Sequence, residues 1–97
     1  MTTPEPQSVI ERPERARFEL PFEGGVAFAS YRQEGELLVV THTEVPAAFN
    51  GRGIGSRLAR GIFETARATG RRVVPACSFI ADWAARHPDF NDVLGRR

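Results

Sequence analysis

The hydrophobic period of this chain changes at Pro46, and that change limits the folds open to it more than any other feature. Before it, apolar and polar residues alternate: Phe18, Leu20 and Phe22 on one side, Arg17, Glu19 and Pro21 on the other. A period of two belongs to strands with one buried face. Gly24-Gly25 makes a turn, Val26 to Arg32 a second strand, and Glu34-Gly35-Glu36 another turn. Leu37-Leu38-Val39-Val40 opens a third, more buried strand that runs toward Val45. Three strands with short turns predict an antiparallel meander. After Pro46 the period becomes helical. Ile54, Leu58, Ile62 and Ala66 recur every four residues with Ala59 and Phe63 beside them, one apolar face of a helix from Gly53 to Thr69 that Gly70 terminates.

Arg72 to Cys77 then reads as a short strand parallel to the third. Ser78 is placed to cap a last helix holding Ile80, Trp83 and Ala84, which stops near His87-Pro88. The expected order is β-β-β-α-β-α with a right-handed βαβ crossover, an α/β fold with a mixed sheet. Pro4, Pro6 and Pro13 among polar residues mark 1–14 as a disordered tail and leave 15–97 as one domain.

Charge is uneven along the chain. Residues 1–49 carry four Arg against eight acidic residues, and residues 50–97 carry nine Arg against four. A basic second half suits an anionic ligand. No apolar run is long enough to span a bilayer, and no signal-peptide pattern opens the chain. With Cys77 as the single cysteine no internal disulfide can form, so the cytoplasm is the expected compartment.

Between the third strand and the helix lies Asn50-Gly51-Arg52-Gly53-Ile54-Gly55-Ser56. Glycines there allow close backbone approach, and a helix N-terminus adds partial positive charge, the ingredients of a pyrophosphate site. A structural turn explains the same residues equally well. The spelling is not a Walker A loop, because no Lys follows the last Gly, and too little chain remains for a dinucleotide-binding fold.

Val45-Pro46 followed by Gly51-Arg52-Gly53-Ile54-Gly55-Ser56-Arg57-Leu58 resembles the acetyl-CoA pyrophosphate motif of GNAT acetyltransferases, Gln/Arg-x-x-Gly-x-Gly/Ala. Asn50 stands where that motif has Gln or Arg, and Arg52 is the side chain that would compensate. Val73-Val74-Pro75-Ala76-Cys77-Ser78-Phe79, Arg86-His87-Pro88-Asp89-Phe90 and His42 extend the likeness to the small, single-domain YjdJ-type branch over residues 17–94. The resemblance implies an N-acetyltransferase using acetyl-CoA and no metal. Thr43, Glu44 and Val45 would offer main-chain groups to the pantetheine arm, and Asn50, Gly51, Arg52, Gly53, Ile54, Gly55 and Ser56 would hold the pyrophosphate.

The resemblance implies a tyrosine after the fourth or fifth strand as donor to the leaving thiolate; the single tyrosine, Tyr31, is in the wrong strand for that, which leaves Cys77 as the candidate proton donor or acyl acceptor. The competing reading of Cys77 is a small buried hydrophobe. His42 is the candidate general base, though strand alternation also fits a histidine facing the same side as Leu38 and Val40. His87 suits a helix C-terminal cap, and Phe79 and Trp83 suit core. Family members carry helices between their first two strands, and Arg17 to Arg32 leaves no room for them. An open acceptor side follows, suited to a protein lysine or N-terminus. A non-catalytic CoA-binding module is the alternative, a homodimer remains open, and nucleic acid is disfavoured because no aromatic and basic strand face is evident.

Overall fold

The alternation from residue 17 onward becomes sheet. In a computed structural model, which describes residues 8–22, 24–46 and 53–96, five strands line up in chain order: β1 (Ile10–Arg12), β2 (Arg17–Phe22), β3 (Gly25–Glu34), β4 (Leu37–Glu44) and β5 (Arg72–Pro75). All neighbours are antiparallel except β4 and β5, which run parallel because α1 (Ile54–Thr69) connects them. The expected α/β fold with a mixed sheet and a βαβ crossover is therefore present. The helix α2 (Ser78–Ala85) and a 3-10 segment (Pro88–Val93) complete the chain.

The helical stripe is buried as its spacing requires. Ile54, Leu58, Ala59, Ile62, Phe63 and Ala66 all face the core. Gly70 ends α1 in the left-handed conformation (φ 71°), directing its N–H to the Ala66 carbonyl. Phe63 stacks on Trp83 of α2 at 5.3 Å between ring centroids, and both contact Phe90. Both helices thus share one core with Phe18, Leu20, Ala27, Ala29, Tyr31, Leu38, Val40 and Val73. Strand residues of opposite parity, including Arg17, Glu19, Val26 and Phe28, face the other way. Among the described residues, no helix covers that second face.

Two expectations need correction. Residues 10–14, read as part of a disordered tail, belong instead to the edge strand β1 and a 3-10 turn (Pro13–Arg15). The cause lies far along the chain: Glu11 accepts from Arg71 Nη2 at 2.6 Å and from the Tyr31 hydroxyl at 2.5 Å. The Val9 side chain meanwhile lies where a Cβ on Gly61 would stand. Second, Cys77 rather than Ser78 is the residue preceding α2, and no side chain caps that helix.

Candidate functional site

β4 outlasts its parallel partner. Pairing with β5 covers only Leu37 to Val40, opposite Arg72 to Pro75, and the Ala76 N–H donating to the Val40 carbonyl at 2.9 Å is the last link. β4 then continues through Thr41–Glu44 on β3 alone, while Cys77 turns away into α2. The result is an opening at the carboxyl ends of two parallel strands, where α/β sheets take ligands.

A bulge decides which side chains reach it. Tyr31 pairs with Val40 and Ser30 with His42, so Thr41 is an extra residue in β4. Beyond it the alternation reverses. Thr43, opposite core-facing Ala29, now points to the helix side, and its Oγ1 lies 3.3 Å from Cys77 Sγ across the opening. His42, opposite Ser30, points to the helix-free side. This corrects the expectation that His42 shares a face with Leu38 and Val40. Its side chain is 59% exposed, with Nε2 3.4 Å from Glu44 Oε1 and its ring 6.1 Å from that of Phe28. Cys77 and His42 therefore flank β4 from opposite sides.

The N-terminus of α1 borders the same opening. Gly53 adopts φ 75°, a conformation that favours glycine, and among the described residues no side chain caps the helix. First-turn N–H groups without a capping side chain suit an anion. Ser56 Oγ accepts from the Trp83 indole N–H at 2.9 Å, which anchors this turn to the core. Phe79, expected in the core, is instead 39% exposed, and its ring lies where a Cβ on Gly55 would be, 2.7 Å from Cζ. Sequence reasoning missed this contact, since nothing in the spacing of a glycine and an aromatic 24 positions apart announces it. Trp83 is core as expected. His87 caps α2 through Nδ1 on the Trp83 carbonyl at 2.7 Å and stacks on the Trp83 ring.

The remaining candidates divide simply. Val45 is partly buried against the core, and Glu44 is exposed on the helix-free face beside His42. Asn50, Gly51 and Arg52 lie outside the described residues. Among the described residues no three His, Cys, Asp or Glu side chains gather as metal ligands, and no helix is long and apolar enough to cross a membrane.

Comparison with known proteins agrees with this architecture. A GCN5-like protein from Staphylococcus aureus, solved by NMR in solution, superposes with a TM-score of 0.70 over 93% of this chain and 90% of its own, at 22% identity. That likeness shows the fold. The family model for GCN5-related N-acetyltransferases matches residues 17–93, which includes β2 through the last 3-10 segment. The chain therefore belongs to the GCN5-related N-acetyltransferase family.

Proposed function

We propose that the chain transfers an acetyl group from acetyl-CoA to an amine on a peptide or protein. The observation that carries this reading is the opening beyond Val40 and Pro75, bordered at once by the uncapped α1 N-terminus and by Cys77. The α1 turn from Gly53 to Ser56 holds the pyrophosphate, with Asn50, Gly51 and Arg52 just before it in sequence. Main-chain groups of Thr43, Glu44 and Val45 hold the pantetheine arm along the free part of β4. Phe79, exposed over Gly55, forms a wall of the same site.

Acceptor and leaving group then occupy opposite sides of β4. His42 takes the proton from the amine as its nitrogen bonds to the acyl carbon, and Cys77 gives a proton to the sulfur as the C–S bond breaks. Products are an amide and CoA thiol. Cys77 acts as acid rather than acyl acceptor, because its polar neighbour is the Thr43 hydroxyl and His42 faces away. A nucleophilic thiol would need a base within reach. Intact mass measured after mixing with acetyl-CoA alone tests this: an acetyl group retained on Cys77 would convert the route to a covalent one. The separation of His42 from Cys77 also favours a second reading, a CoA-binding sensor without turnover. Calorimetry with acetyl-CoA, followed by turnover on a lysine peptide library, separates the two, and absence of binding removes both.

A further inference from the structure

Resting on the transfer reading above, we infer that the helix-free sheet face beside His42 recognises the acceptor as an extended protein segment with acidic residues near its amine. Glu19 is the buried charged residue of the described chain, 6% exposed. Three guanidiniums converge on it, from Arg12 Nε at 3.3 Å, Arg15 Nη1 at 3.6 Å and Arg17 Nε at 2.6 Å. Three cations around one carboxylate leave a surplus of two positive charges. Glu19 engages Arg12 and Arg17 through Nε, so among the described residues their Nη groups have no acceptor. These arginine side chains are 44%, 61% and 28% exposed in the same order, so the surplus faces solvent. A guanidinium fork presented this way matches a carboxylate in bidentate geometry, as it would a phosphate.

Register connects this patch to the reaction site. Arg12 pairs with Arg17, Arg17 with Ser30, and Ser30 with His42, one row across four strands. Strands stand about 4.8 Å apart, so Arg17 and Arg12 lie roughly 10 and 14 Å from His42, a span of about three to four residues of extended chain. The Arg17 guanidinium rests 4.5 Å above the Phe28 ring, and that ring neighbours His42, so the row is continuous. The same contact disfavours nucleic acid. The face does combine basic and aromatic side chains, contrary to the sequence expectation, but among the described residues Phe28 is its one aromatic ring besides His42, and Arg17 already occupies a face of that ring, where a base would stack.

The test is an NMR titration of the isotope-labelled full chain with short lysine peptides carrying Glu, Gln or Arg about three and four residues from the lysine. Acetyl-CoA is titrated in a separate series. The Glu peptide is expected to bind about tenfold more tightly than the Gln peptide, with shifts on β1, β2 and β3. The double variant Arg12→Ala/Arg15→Ala is expected to lose that preference while still binding acetyl-CoA, which shows that it is folded. Equal affinity for the Glu and Gln peptides, shifts confined to the helix side, or tighter binding of an RNA oligonucleotide to this face would each overturn the proposal. Acetyl-CoA binding without peptide preference defeats the surface and leaves the cofactor reading standing. Peptide preference without acetyl-CoA binding supports the surface and defeats the cofactor reading.

Discussion

Phe79 accounts for the absence of a side chain at position 55. A methyl group there would meet Cζ of the exposed aromatic ring at 2.7 Å, so Gly55→Ala is expected to displace the ring and lower stability by no more than about 1 kcal/mol. Truncating the ring in the double variant Gly55→Ala/Phe79→Ala should recover most of that loss, and denaturant midpoints of the three proteins decide it. Gly53 is constrained differently. Open space surrounds it, but its φ of 75° strains any side chain, and no second-site truncation should rescue Gly53→Ala. For the chemistry, Cys77→Ala should abolish transfer and leave acetyl-CoA binding near its original affinity, a split that calorimetry beside a turnover assay reads directly. Replacing His42 by Gln should slow transfer about a hundredfold while acetyl-CoA binding is kept. An unchanged rate would remove His42 as the base.

At the scale of elements, two contacts do most to hold the secondary structure in place. The first is the buried stripe of α1. Leu58→Ala should cost about 2–5 kcal/mol, because the helix cannot collapse into the cavity without losing Ile54 and Ile62 from the same surface. The second is the tie that docks β1. Hydrogen bonds from Arg71 hold the Glu11 carboxyl below its ordinary range, with Tyr31 adding to the effect. That stability is present above the ordinary carboxylate pKa and is lost as pH falls through the folded value. Burial, reinforced by the hydrogen bond to Glu11, pushes the Tyr31 phenol from 10.0 up to about 12. Its contribution is complete below pH 10.0 and is lost as pH rises through about 12. Stability measured by denaturant across that alkaline window should fall in the natural protein and stay nearly flat in Tyr31→Phe.

At the scale of the molecule, the governing feature is a sheet whose helices, among the described residues, lie on one face only. The opposite face buries Val39 and Glu19 but leaves the His42 side chain 59% exposed. Peptide acceptors should therefore be acetylated faster than small polyamines at matched concentration, and the reverse order would contradict an open acceptor side. Much of this architecture follows from local periodicity. Phe18, Leu20 and Phe22 mark a strand, Ile54 to Ala66 mark a helix, and Gly53 and Gly70 bound that helix, because each signal depends on residues close in sequence. Four features were decided only by tertiary structure. β1 is a strand because Glu11 meets Arg71, sixty positions away. Phe79 leaves the core because Gly55 offers its ring a surface. Three arginines converge because they share Glu19 across β1, the following turn and β2. His42 changes face because one extra residue in β4 reverses the alternation beyond it. Periodicity reports the face a segment would show if it were regular, whereas a bulge and a long-range ion pair exist only once the partner strands are in place.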